Sequence, residues 1–358
     1  MRLLTGFPGF LGTEFIARLL RDPQTRFLVL VQQKFESLAQ AHIQSLETRI
    51  PGAASRIEIT LGDLTLPGLG IQGDARLREV TEVDHFAAIY DLNIAESPAK
   101  RVNVEGTRNV LNLIRELPSF KSLHYVSTCY VSGRHPGTFM ETDLELGQPF
   151  NNFYESTKYE AEVLVRKEMD SGLRAAIYRP AIVVGDSRTG ETQKYDGPYF
   201  VLQWLLRQCR YAILPEIGNP QEFRINLVPS NYVLDAMAYL ATRESSIGKT
   251  FQLADPNPLT IAEVVDLFAK HCKKNLIRIP LPKGLAKSAI GHVPGLEKWL
   301  GIPRSSLDYF VHPTQYDVSN TLTALADSGI RCPAFSSYVE KLIEYRIQHP
   351  DIRSKALI

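Results

Sequence analysis

The sequence predicts an α/β fold, a doubly wound parallel sheet with a smaller C-terminal lobe. Three observations predict it. An apolar strand at residues 2–5 runs straight into a glycine-rich turn and a helix. Short apolar runs then recur at helix-length intervals as far as Pro180, the rhythm of strand–helix–strand units. After Gly185 the chain changes character, to an aromatic-rich helix and Pro-broken segments. At 358 residues there is room for a core unit and a lobe. We expect the first unit at residues 1–185, with strands returning to it from about 223–254, and the lobe mainly at 186–358.

Taken in order, residues 2–5 lead into Gly6-Phe-Pro-Gly9-Phe-Leu-Gly12, then a helix to about Leu20 with Phe15, Ile16, Leu19 and Leu20 as its buried stripe. Strand, glycine turn and helix in that order meet the context of a Rossmann-type dinucleotide fingerprint. Gly6 permits the tight turn, Gly9 lets backbone approach a pyrophosphate, and Gly12 lets helix pack on strand, while Phe10 and Leu11 open the helix toward the phosphates. Pro8 removes one backbone donor from this loop. The second strand, Phe27–Val31, ends in Gln32, Gln33 and Lys34, with no acid before Glu36. An acid there accepts from the ribose hydroxyls of NAD and a base accommodates the extra phosphate of NADP, so NADP(H) is favoured over NAD(H). A third strand, Ile57–Leu61, ends in Gly62-Asp63-Leu64, with Asp63 either an adenine contact or a turn cap. A fourth is expected at Asp84–Ile89, short and weakly apolar. A helix at Arg108–Leu117 stops at Pro118, and the fifth strand, His124–Cys129, carries Ser127 and Thr128 at its ligand-facing end. A helix from Asn151 or Asn152 to about Met169 follows, then a strand at Ala175–Tyr178.

Hydrophobic content of 44%, charged content of 22% and a net charge of +1 are ordinary for a globular chain and give no reason to expect nucleic acid. Four scattered cysteines and eight histidines show no metal-ligand spacing, so no metal is expected. No apolar run is long enough to span a membrane, and no signal-peptide pattern precedes Gly6, so the expected compartment is cytoplasmic.

Tyr154 and Lys158 lie four residues apart, on one face of their helix. Phenols are poor acids, with a pKa of about 10, and a nearby ammonium favours the phenolate. Such a pair suits protonation of a carbonyl oxygen while its carbon receives hydride.

These residues together resemble the extended short-chain dehydrogenase/reductase superfamily. The likeness rests on Thr5-Gly-x-x-Gly-Phe-Leu-Gly12, Gly62-Asp-Leu64, Asn103-x-x-Gly-Thr107, Ser127-Thr128, Tyr154-x-x-x-Lys158 and Arg179-Pro-x-x-Val-Val-Gly185. Ala88-Ile-Tyr-Asp91, Asp186-Ser-Arg-Thr-Gly-Glu191, Asp196-Gly-Pro-Tyr199 and Asn226-Leu-Val-Pro229 narrow it to the fatty acyl-CoA reductase and thioester reductase branch, with a male-sterility-type NAD-binding domain. The resemblance implies a catalytic set of Asn103, Thr128, Tyr154 and Lys158. Tyr154 is then the proton donor and Thr128 the carbonyl holder, with Ser127 the second candidate. Lys158 bonds the nicotinamide ribose and lowers the phenol pKa, Asn103 steadies Lys158 through a water, and Pro180 and Val183 flank the carboxamide. The end of the fourth strand, Asp84-His85-Phe86-Ala87-Ala88, is shorter than the family's usual form.

The implied function is NAD(P)H-dependent reduction of a lipid-like carbonyl, a fatty acyl-CoA, carrier-protein thioester or fatty aldehyde. Alternatives are another extended-family activity (a nucleotide-sugar epimerase or dehydratase, or a hydroxysteroid dehydrogenase) and a non-catalytic NADP-binding sensor. In the lobe, the helix at Gly197–Leu206 offers an apolar wall for an acyl chain. Arg188 and Lys194 are candidates for phosphates of coenzyme A or a carrier. Thr260 and Glu263 form a helix-capping box. Residues 280–312 read either as a helical pair packed on the lobe or as an amphipathic lid over the acyl site, the lid bringing peripheral membrane contact as one consequence.

Overall fold

The computed structural model describes residues 1–217, 219–281, 308–309 and 311–352. Strands β1 (Arg2–Thr5), β2 (Phe27–Val31), β3 (Ile57–Leu61), β4 (Glu82–His85), β5 (Ser122–Val126), β7 (Ala175–Pro180) and β11 (Thr250–Leu253) form one sheet in the order β3-β2-β1-β4-β5-β7-β11. Every pairing in it is parallel. Strand order therefore reverses between β1 and β4, which opens a crevice beyond their carboxyl ends, the usual ligand position in such sheets.

Both faces are covered, so the strands read as continuous apolar runs rather than alternating ones. On one face Leu4, Val29, Tyr178 and Phe251 pack against α1 (Phe10–Leu19), α2 (Glu36–Arg49) and α7 (Ser230–Ala241). On the other, Leu3, Leu28, Leu123 and Ile177 meet α4 (Gly106–Glu116) and α5 (Phe153–Asp170). Between β4 and α4 lie a one-turn α3 (Glu96–Ala99) and a π-helical turn at Lys100–Glu105.

The fourth strand differs from expectation. It spans residues 82–85, and the chain leaves the sheet at Phe86. Its weak apolar character has a physical cause: Arg2 on β1 forks onto buried Asp84, at 2.7 and 2.8 Å. That pairing satisfies a charge which a parallel strand would otherwise leave stranded. Strand β7 runs two residues beyond the expected Tyr178, to Pro180.

Beyond the sheet, parallel two-stranded ribbons pair β6 (Gly137–Phe139) with β13 (Thr314–Tyr316), β8 (Ile182–Val184) with β10 (Leu227–Pro229), and β9 (Tyr211–Ile217) with β12 (Asn275–Leu281). A separate core gathers α6 (Pro198–Leu206), α8 (Ile261–His271) and the stretch from Phe335 to Ile343. Helix α8 starts with the expected capping box, Thr260 and Glu263 exchanging both bonds. Most of the expected lid, residues 282–307 and 310, lies outside the described residues. No helix among the described residues is long and apolar enough to cross a membrane.

Candidate active site

The glycine loop is built by close approach. Gly6 has φ +96°, and a Cβ there would sit 2.8 Å from the Ala87 nitrogen. A Cβ on Gly9 or Gly12 would fall 2.7 or 2.9 Å from the Gly6 carbonyl oxygen. The loop thus folds so tightly on itself that only hydrogen fits, whatever it binds. Gly9 caps α1 without a side chain, and the first turn holds no acidic residue. That leaves the positive end of the helix for an anion such as a pyrophosphate.

At the ends of β2 and β3, Asp63 does two things. Its Oδ1 accepts from the Thr65 amide and hydroxyl, each at 2.8 Å, as a turn cap does. Its Oδ2 accepts from Gln32 Nε2 at 3.0 Å, tying together two residues expected at the adenosine end. Lys34 is exposed beside them, its ammonium 4.9 Å from the Phe35 ring centroid. The Leu64 carbonyl accepts from Asn109 Nδ2 at 2.7 Å.

Helix α5 delivers Tyr154 and Lys158. Asn152 caps it, its Oδ1 accepting from the Glu155 amide at 3.0 Å. Tyr154 is buried beside Thr128 and meets the Tyr90 ring edge-on at 5.0 Å. Burial pushes the phenol pKa up, and the Thr128 hydroxyl only partly opposes this. The expected lowering by Lys158 is therefore not what governs Tyr154. Lys158 Nζ instead donates to the Val126 carbonyl at 2.7 Å and the Tyr125 hydroxyl at 3.1 Å. Burial also pushes Lys158 down, to about 7, with Glu162 opposing.

Asn103 sits in the π-helical turn, a local insertion of the kind frequent at functional sites. Its Oδ1 accepts from the Ile89 amide at 2.9 Å, and its Nδ2 donates to Thr157 Oγ1 at 3.0 Å. Asn103 thus joins the turn after β4 to the residue preceding Lys158, a more direct link than the expected water. Ser127 donates to Glu162 at 2.6 Å, and Glu162 pairs with Arg179 at 2.7 Å, both side chains wholly buried. Ser127 is committed to that ion pair, whereas the Thr128 hydroxyl, beside Tyr154, donates to the Pro180 carbonyl at 3.4 Å.

A cleft of about 1060 Å³ joins these parts. It is lined by the loop from Gly6 to Gly12, by Gln32, Lys34, Asp63 and Leu64, and by Thr128, Tyr154, Lys158, Pro180 and Val183. Beyond the phenol it continues into the lobe between Val201 of α6 and Ile261, Val264, Val265 and Phe268 of α8. Lys194 lines its mouth, 4.2 Å over the Tyr90 ring and 3.0 Å from Asp196. Arg188 does not line it and pairs with Asp186 at 2.9 Å.

A family description, male sterility protein, matches residues 4–237, more than half of the chain. The chain belongs to that family. It is an oxidoreductase of the extended short-chain dehydrogenase/reductase type, with a Rossmann-type NAD-binding fold. A linear gramicidin synthase polypeptide of Brevibacillus parabrevis is 29% identical over 96% of this chain, which corresponds to 7% of that protein. The large subunit of L-2-aminoadipate reductase from Eremothecium gossypii is 28% identical over 70% of this chain and 19% of its own length. The chain therefore spans a small part of these curated relatives. Among solved structures, the terminal R domain from the myxalamid PKS-NRPS biosynthetic pathway superposes with a TM-score of 0.82 at 27% identity, over 99% of this chain and 92% of that one.

Sequence reasoning passed over Tyr125, Thr157, Glu162 and Tyr90, all in contact with the predicted set or one residue removed from it. A signal existed for Tyr125 and Glu162. A phenol in a strand buried on both faces, or an acid on the core side of a helix, needs a polar partner.

Proposed function

We propose that this chain is an NADP(H)-dependent reductase of an acyl thioester presented by a carrier protein, releasing the acyl group as an aldehyde. The observation that carries the reading is the continuity of the cleft. It runs from a phosphate-fitting glycine loop, past a phenol and a hydroxyl, into an apolar arm. The R-domain name of the myxalamid PKS-NRPS relative and the reductase name of the aminoadipate relative favour a carrier-bound thioester over a fatty acyl-CoA or free fatty aldehyde.

The glycine loop and the first turn of α1 would hold the pyrophosphate, Gln32 and Lys34 the adenosine end, and Lys158 with Pro180 and Val183 the nicotinamide end. Lys34, with no acid before Glu36, supports NADP(H) over NAD(H). When bound, the nicotinamide supplies hydride to the carbonyl carbon. Thr128 and Tyr154 hold the carbonyl oxygen and stabilise the negative charge that develops on it. Because burial keeps the phenol protonated at neutral pH, Tyr154 has a proton to give when that charge appears. Expulsion of the thiol then leaves the aldehyde. The α6–α8 arm offers apolar side chains at every cleft position named above, which suits a hydrocarbon acyl group.

The test is NADPH and NADH oxidation against one acyl group offered on a carrier protein, on coenzyme A and as free aldehyde, with a nucleotide-sugar arm and mass-spectrometric products. Aldehyde formation with NADPH from the carrier-bound thioester supports the reading. Turnover of the nucleotide sugar alone would replace it with an epimerase or dehydratase, and no oxidation in any arm with a sensor.

A further inference from the structure

Behind the catalytic helix lies a chain of buried polar groups that the chemistry above does not use. The Lys158 ammonium donates to the Tyr125 hydroxyl at 3.1 Å and lies 4.5 Å from the centroid of the same ring. The Tyr125 ring also packs on His85, centroids 5.6 Å apart. Thr107 Oγ1 donates to the Asn103 carbonyl at 2.7 Å and stands 3.0 Å from His85 Nε2. On the other side of the ring, His85 Nδ1 is 2.7 Å from Thr5 Oγ1, at the end of β1 where the glycine loop begins.

The donors along this chain can be assigned. Thr107 has one proton, committed to the Asn103 carbonyl, so its oxygen accepts from His85. His85 then carries its proton on Nε2 and accepts from Thr5 at Nδ1. The ammonium has only donors, so the Tyr125 oxygen accepts from it. Thr5, His85, Thr107 and Tyr125 are at most 2% exposed, so no link meets bulk water. A path that delivers protons needs a wet end, and this one has none. It is a brace.

We infer that Tyr125 is a positioning residue that acts through Lys158, setting its ammonium relative to the nicotinamide ribose and Tyr154. The inference rests on the reading of Tyr154 and Lys158 as the reacting pair. Packed on His85, Tyr125 also links Lys158 to Thr5 at the start of the glycine loop, so the two ends of the cofactor site share one framework.

The experiment compares Tyr125→Phe with the parent, and adds Tyr125→Phe to Lys158→Met. Readouts are kcat and KM with NADPH and an octanoyl thioester of N-acetylcysteamine, NADPH affinity by fluorescence titration, and thermal melting. Tyr125→Phe is expected to lower kcat roughly ten-fold, the loss typical of one charge-assisted hydrogen bond, with thioester KM unchanged. In the Lys158→Met background Tyr125→Phe is expected to change neither the residual rate nor NADPH affinity. Parental kcat in Tyr125→Phe, or an equal loss with and without Lys158, would overturn the inference. Tyr154→Phe, run in parallel, separates the two ideas. Lost turnover there beside an unaffected Tyr125→Phe sinks the brace alone, and retained turnover sinks the reading beneath it.

Discussion

The carboxyl end of the sheet and the α6–α8 arm line the same cleft but are built on opposite principles. At the sheet, almost every polar atom has an assigned partner: Asp84 with Arg2, Ser127 with Glu162, Asn103 with Ile89 and Thr157, Lys158 with Tyr125 and Val126. In the arm, Val201, Ile261, Val264, Val265 and Phe268 offer only apolar contact. Directional bonds fix reacting atoms to fractions of an ångström, whereas apolar contact tolerates many shapes and selects by volume. On the proposed function, chemistry is specified at one end and substrate range at the other.

The comparison can be broken most forcefully at Glu162. Glu162→Ala leaves Arg179 buried without its counter-charge and is expected to cost about 3–5 kcal/mol of stability, read by denaturant unfolding. A small loss would mean that the sheet end does not depend on its bonds. Next in size is Tyr154→Phe, expected to cut kcat by a factor on the order of 10² while NADPH affinity holds. In the arm the expected effect is milder and of another kind. Val264→Thr keeps the shape but adds a hydroxyl whose desolvation costs about 1 kcal/mol, so KM for an apolar acyl thioester is expected to rise roughly five-fold at unchanged kcat. A fall in kcat instead would show that the arm also positions the carbonyl.

A further effect concerns pH. Burial holds the folded Lys158 at about 7, against 10.5 for an ordinary lysine. The unfolded chain then binds more protons between those values, so stability rises with pH across that window. Below it, the buried charge carries its full penalty. The melting advantage of Lys158→Met over the parent is expected to be constant below pH 7 and to shrink from there towards 10.5. A pH-independent difference would place the ammonium in a better solvated setting.

Much of the sheet is legible in the sequence because parallel strands buried on both faces leave unbroken apolar runs, as in Phe27–Val31. The fourth strand departs from its expected bounds by a few residues because its charges, Asp84 and Glu82, are answered by Arg2, distant in sequence. Among site residues, Gly6, Gly9, Gly12, Thr128, Tyr154 and Lys158 announce themselves by short-range spacing. Tyr125 and Glu162 do not, because their partners come from other elements.

The order of elements, the glycine loop and the pairing of phenol with ammonium follow from the sequence alone, since each depends on residues a few positions apart. Which groups the ammonium touches, which hydroxyl faces the phenol and what lines the α6–α8 arm were decided by tertiary packing. Those outcomes turn on desolvation and on neighbours brought together from distant strands and helices, quantities that no local pattern encodes.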